Sequence, residues 1–216
     1  MVYISYMELL FTIATLSIII FSIVIHEVAH GSIAYALGDS TAKDSDRLNL
    51  NPINHLDPVG SFLVPLMLSI LNLPVIGWAK PVPVDFYNLK DKRWGALKVS
   101  LAGPMANLLI ALIFGLLIRT SFFSPELNFF FILVVLYNIL LALFNLIPIP
   151  PLDGSHILFD ILGNGFNWLK EFLTQYGFFV LVFLVFLNNG RSLSFIFVFA
   201  QRIAEFFIGF PISSLI

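Results

Sequence analysis

The chain has 216 residues, of which 59% are hydrophobic and 11% charged, with a formal net charge of −2 and no cysteine. Soluble domains carry roughly 25% charged residues, so too few polar groups remain to cover a water-facing surface, and the chain reads as an integral membrane protein. The near-neutral charge without a basic run excludes nucleic acid as a partner. The missing cysteine excludes disulfides, thiolate metal sites and cysteine nucleophiles, so a metal site must be built from His, Asp and Glu.

Residues Leu9 to Gly38 contain one formal charge, Glu27. As a helix, Leu9 to Ile25 rises about 25 Å, which puts His26 near the far edge of a bilayer core ~30 Å thick. No Lys or Arg precedes this run and no small-residue cleavage site follows it, so it is expected to be retained rather than removed as a signal peptide. Asp39 to Pro58 is a polar loop rich in Asn, Asp and Pro. Val59 to Ile76 is apolar but broken by Gly60, Pro65 and Pro74, and GWAKPVP follows at Gly77 to Pro83. Val99 to Ile118 and Leu127 to Leu152 are uncharged and long enough to span; Pro148, Pro150 and Pro151 must end the second. Phe172 to Gly190 is a further span. Ser192 to Phe210 is a weaker candidate, interrupted by Arg202 and Glu205, which can pair three residues apart. The expectation is an all-α polytopic protein of about five to six transmembrane helices with a short re-entrant or β-like embedded segment. It forms one domain over residues 1–216, with a catalytic core at about 9–163 and additional helices at about 166–210.

His26-Glu27-Val28-Ala29-His30 is an H-E-x-x-H sequence. On a helix, residues four apart share a face, so both imidazoles can reach one ion, and the adjacent Glu27 can polarise a water on it. A carboxylate at membrane depth costs at least ~2.5–3.5 kcal/mol on insertion scales, and a bound metal compensates that cost. A catalytic zinc takes three protein ligands and leaves one position open. Asp153 is the acid between Glu126 and Asp160, and it follows a proline-broken helix whose freed backbone groups need a cavity or protein around them. It is the favoured third ligand; His55 and His156 compete.

Seven of the eleven basic residues lie between Lys43 and Lys98, which places that region on the cytoplasmic side. Both flanks of Val59 to Ile76 then share a side, so this segment dips and returns. With that dip, Asp153 comes back beside His26 and His30; with a crossing, it faces the opposite side. Charge distribution and metal geometry agree on the dip.

H-E-V-A-H in an apolar segment, A-G-P-M-A-N at Ala102 to Asn107 and N-L-I-P-I-P-P-L-D-G at Asn145 to Gly154 resemble the site-2 protease family of intramembrane zinc metalloproteases. R-L-N-L-N-P-I-N-H-L-D-P and G-W-A-K-P-V-P are similar to its small, compact members, although D-S-D-R stands where a glycine is expected before the arginine. The resemblance implies a three-helix core holding one zinc ion near the cytoplasmic face of a prokaryotic cytoplasmic membrane. It implies His26, His30 and Asp153 as ligands and Glu27 as the catalytic residue. It further implies Asn145 as a holder of substrate or oxyanion and Asn107 as lining the substrate path; for both, interhelical hydrogen bonding is the plain alternative. The implied partners are a transmembrane protein substrate and the lipid bilayer. There is no room for PDZ or cystathionine-synthase-type accessory domains, which leaves regulation absent or to a membrane partner, and oligomeric state open. GWAKPVP and the dipping segment could offer an edge to an unwound substrate. The rival readings are a zinc carrier, an inactive pseudoprotease, a prenyl-protein-type metalloprotease and a structural scaffold. The other spans are nearly free of ionisable groups, Glu27 is retained, and Val99 to Leu152 holds no Glu except Glu126, in a loop on the wrong side, so each rival leaves a feature unexplained.

Overall fold

The structure, a computed structural model, describes residues 6–71, 73, 77–187 and 193–212. The expected span ends at Gly190 and Ser192, and Asn72 and Pro74 to Ile76 of the expected dip, lie outside the described residues. All regular elements among the described residues are helical. Helix α1, Tyr6–Ala36, has 31 residues and carries His26 about 30 Å from its start at ~1.5 Å per residue. A short helix α2, Thr41–Asp44, follows it. Asp39 closes the end of α1: its buried carboxylate accepts the Thr41 amide at 3.2 Å, the Asp85 amide at 2.8 Å and Asn88 Nδ2 at 3.1 Å. That joint ties the loop after α1 to the segment entering α4.

A π-helical turn at Pro58–Leu63, capped by Asp57, runs into α3, Val64–Ile70. Together they make a helix of about 20 Å, short of the ~30 Å core. Its two flanks meet: Trp78 N–H donates to the Gly60 carbonyl at 3.1 Å and Lys80 N–H to the His55 carbonyl at 2.8 Å. Gly60 permits the approach, since a methyl there would lie 2.3 Å from the Trp78 ring. Residues 77–83 form no strand, although the Trp78 and Lys80 amides, two residues apart, both bond to the segment 55–60. Pro81 and Pro83 remove two amide donors, which a ladder would require.

Helices α4, Gly95–Arg119, and α5, Pro125–Asn145, form the centre with α1. α6, Asp153–Leu162, and α7, Asn167–Phe186, follow, and α8, Ser194–Ile208, packs on α4 and α5. The core there joins Ala111 and Ile118 of α4, Ile132, Val135 and Ile139 of α5, and Ala200, Ala204 and Ile208 of α8. Small residues let the helix axes approach closely where lipid offers no hydrophobic drive. Arg119 Nε donates to the Phe207 carbonyl at 2.8 Å and so caps α8. Among the described residues, four helices, α1, α4, α5 and α7, are long and apolar enough to cross a membrane; the expectation was five to six. α8 has 15 residues, about 22 Å at ~1.5 Å per residue, and Arg202 and Glu205 interrupt its apolar sequence.

Candidate metal centre

His26 and His30 stand one turn apart on α1, both buried. Asp153 is the first residue of α6 and reaches them from the opposite wall. Its placement depends on how the chain breaks after α5. The turn at residues 146–152 is packed so closely that a methyl on Gly154 would lie 2.3 Å from the Leu146 carbonyl oxygen. Asp153 Oδ2 lies 3.1 Å from His26 Nε2 and 3.3 Å from His30 Nε2, and the two Nε2 atoms are 3.0 Å apart. Among the described residues this is the one group of three or more His, Asp or Glu side chains close enough to share an ion.

The outer bonds of the two rings decide what faces the centre. His30 Nδ1 lies 2.7 Å from the Val99 carbonyl, which only accepts, so Nδ1 carries the hydrogen. His26 Nδ1 lies 2.6 Å from Asn107 Oδ1 and donates likewise. In the neutral rings both Nε2 atoms then present lone pairs, beside a carboxylate oxygen. Three acceptors within 3.3 Å of one another repel unless a positive charge lies among them. Ligands on a tetrahedral zinc with bonds of ~2.0–2.1 Å stand roughly 3.3 Å apart, close to the spacing found. α4 also leaves space: a methyl on Gly103 would lie 2.4 Å from His30 Nε2 and 2.5 Å from His26 Nε2. Val99, Gly103 and Asn107 are four residues apart, so one stripe of α4 orients both imidazoles and keeps the space before them open.

The centre opens into a cleft of about 470 Å³, lined by Glu27, Trp78, Ala79, Pro81, Asn145 and Leu152, with four apolar side chains of α7 on the far wall. Glu27 is half-buried, and its Oε2 accepts the Val82 N–H at 2.8 Å. Val82 stands between two prolines, so its amide is the one donor of residues 81–83. Asn145, at the end of α5, donates from Nδ2 to the Leu141 carbonyl at 2.9 Å and keeps its other hydrogen for the cleft. Asn107 is different from the expectation: it is fully buried behind His26, off the cleft wall. A short side chain on α4 meets the ring of α1 before it can reach the cleft. The competing histidines stand apart from the cluster. His55 is buried in its loop with Nε2 2.9 Å from the Asn49 carbonyl, and His156 packs its ring against Phe86.

Three contributors escaped the sequence reading: Gly103, Ser22 and Asn138. Asn138 donates to Ser22 Oγ at 2.9 Å and accepts from Asn107 Nδ2 at 2.8 Å. An amide within the uncharged run from Leu127 to Phe144 is a detectable signal, of the same kind that singled out Glu27.

The sequence profile described as Peptidase family M50 matches residues 120–187. YwhC of Bacillus subtilis, named as a zinc metalloprotease, is 42% identical over 176 residues, covering 77% of this chain and 76% of its own. MJ0392 of Methanocaldococcus jannaschii, also named a zinc metalloprotease, is 31% identical over 73% of this chain, which spans 37% of that protein's length. Rip2 of Mycolicibacterium smegmatis, named likewise, is 29% identical over 76% of this chain and 63% of its own. No solved structure matches the chain. With its apolar helices and its His, His, Asp cluster beside Glu27, the chain belongs to peptidase family M50, the site-2 protease family of zinc-dependent metallopeptidases.

Proposed function

We propose that this protein hydrolyses peptide bonds within or near the transmembrane segments of other membrane proteins. His26, His30 and Asp153 hold the zinc ion and Glu27 is the catalytic residue. The observation that carries the reading is the triangle of acceptors, with sides of 3.0, 3.1 and 3.3 Å, opening beside Glu27 onto an apolar cleft. Zinc bound there lowers the pKa of a water and polarises a carbonyl. Glu27 accepts the proton of the attacking water and returns it to the leaving amine. The Val82 amide holds one carboxylate oxygen of Glu27 and leaves the other for that exchange. Asn145 offers its remaining Nδ2 hydrogen to the oxygen of the scissile carbonyl, where negative charge develops.

A transmembrane helix hides its own amides, so the substrate must unwind before it can be cut. Residues 77–81 offer the unwound peptide an edge on the side away from Gly60 and His55. The helix Pro58–Ile70 dips into the membrane and returns, a reading supported by its length and its meeting flanks. Seven basic residues between Lys43 and Lys98 support a metal centre facing the cytoplasm.

The test uses purified protein in detergent with a panel of single-span membrane peptides. Wild type, Glu27→Gln and Asp153→Ala are run side by side and zinc is quantified in each. The expected result is about one zinc per chain and cleavage in wild type, zinc without cleavage in Glu27→Gln, and loss of zinc in Asp153→Ala. Zinc bound equally by all three, with no peptide cut, would replace this reading by that of a zinc-binding protein without protease activity.

A further inference from the structure

Behind the metal centre, three polar side chains are buried between apolar helices, and hydrogen bonding between helices does not exhaust what they do. Asn107 and Asn138 are fully buried and Ser22 is 4% exposed. They lie on α4, α5 and α1, one turn or more from the histidines. Burying an amide without partners is costly, and here nearly every polar hydrogen is used. Asn138 Nδ2 donates to the Val134 carbonyl at 2.8 Å and to Ser22 Oγ at 2.9 Å. Its Oδ1 is thereby turned to accept from Asn107 Nδ2 at 2.8 Å. The second hydrogen of Asn107 Nδ2 goes to the Ser22 carbonyl at 3.2 Å. Asn107 Oδ1 is left for His26 Nδ1 at 2.6 Å.

The direction of this chain is set by two backbone carbonyls, that of Val134 on Asn138 and that of Ser22 on Asn107. The carbonyls of Val134 and Ser22 can only accept. If either asparagine amide were flipped, an oxygen would face an oxygen at 2.8 to 3.2 Å. An amide free to flip would let His26 carry its hydrogen on either nitrogen. An amide held in one sense accepts from Nδ1–H and leaves Nε2 bare toward Asp153 and His30.

We propose that Asn138, braced by the Ser22 hydroxyl, is a positioning residue for the metal centre: together with the Ser22 carbonyl it holds Asn107 in one sense and so imposes the Nδ1–H tautomer on His26. The proposal rests on the reading of His26 as a zinc ligand and assigns the residue that prepares it. Outer partners of ligating histidines act this way, and their loss typically costs 10–100-fold in metal affinity.

The test is cobalt(II) uptake by the full-length, metal-stripped protein in detergent, measured by chelator competition and by the visible cobalt spectrum, with melting temperature recorded alongside. The variants are Asn138→Leu, Asn107→Leu and the two combined. A leucine at position 107 offers His26 Nδ1 no acceptor, so nothing is left for Asn138 to orient. The expected result is a roughly tenfold or greater loss of affinity in Asn138→Leu, with a changed cobalt spectrum. Asn107→Leu loses at least as much, and adding Asn138→Leu to it costs no further affinity. Should Asn138→Leu not fold, Ser22→Ala reports the same coupling: a loss of affinity alone and none beside Asn107→Leu. Asn138→Leu that lowers the melting temperature yet binds cobalt as wild type does, or that loses affinity equally in both backgrounds, overturns the proposal. A folded wild type that takes up no metal overturns the zinc reading itself, and this inference with it.

Discussion

Gly103→Ala is expected to empty the metal centre without unfolding the protein. A methyl at this position would stand 2.4 Å from His30 Nε2, 2.5 Å from His26 Nε2 and 2.6 Å from His26 Cε1. Non-bonded contacts settle near ~3.5 Å, so the shortfall is about 1 Å. The rings cannot simply lean away, because His26 Nδ1 is tied to Asn107 and His30 Nδ1 to Val99. Both anchors belong to the helix that carries the new methyl, so any retreat lengthens the bonds that orient the rings. Over-packing of this kind costs roughly 1–3 kcal/mol, which a folded membrane protein survives. The metal centre does not survive it, because ligand distances must hold to within about 0.2 Å. Zinc content should fall from about one per chain to a small fraction, and peptide cleavage by at least ~100-fold, the order expected for a misplacement of about 1 Å. The melting temperature should fall by only several degrees. Gly165→Ala is the control, since a methyl there meets nothing within 4 Å, and it should leave all three quantities unchanged. Gly103→Ala with full zinc and full activity would refute the close approach of α4 to the two imidazoles.

Two further perturbations test the frame around the site. Asp39→Ala leaves the amides of Asp85 and Thr41 and the side chain of Asn88 without their acceptor, and should cost about 2–4 kcal/mol in denaturation experiments. Burial works against the charge of Asp39, but the hydrogen bonds from Thr41, Asp85 and Asn88 prevail and hold its carboxyl below the ordinary carboxylate range. Its contribution is therefore fully present above the unfolded carboxylate pKa of ~4 and is lost as pH falls through the lower folded value. Wild type should lose stability on acidification through that window, and the part due to this residue should be missing in Asp39→Asn. Gly60→Ala places a methyl on the Trp78 ring and should displace residues 77–81; cleavage is expected to fall while zinc content stays near one per chain. Unchanged cleavage would show that this segment does not hold the substrate.

Much of the site was legible because its residues are costly where they stand. Glu27 within an uncharged run, two histidines at helical spacing and an aspartate after a proline-broken helix each demand compensation, and the structure brings His26, His30 and Asp153 close enough to share one ion. A dip of residues 59–76 was expected from charge, since basic residues flank it on both sides; among the described residues, Trp78 and Lys80 meet Gly60 and His55. The roles of polar groups inside the bundle were less legible. Asn107 was expected on the substrate path and lies behind His26, and Asn138 went unremarked. An asparagine states its burial cost but not its partner, which depends on which helix faces it. GWAKPVP was expected to make a poor helix and a poor central strand; it forms neither, and its prolines withhold the donors a ladder needs.

Composition, periodicity and ionisable residues in apolar runs determine that this chain is a helical membrane protein, and where along it the chemistry lies. These are local properties, written in the cost of each side chain in lipid. Tertiary packing decided the rest: that α4 brings Val99, Gly103 and Asn107 against both imidazoles, that Asn138 meets Asn107, and that Val82 meets Glu27. Those contacts join residues 31 to 81 positions apart. Helix rotation and approach set them, and no spacing along the chain encodes either.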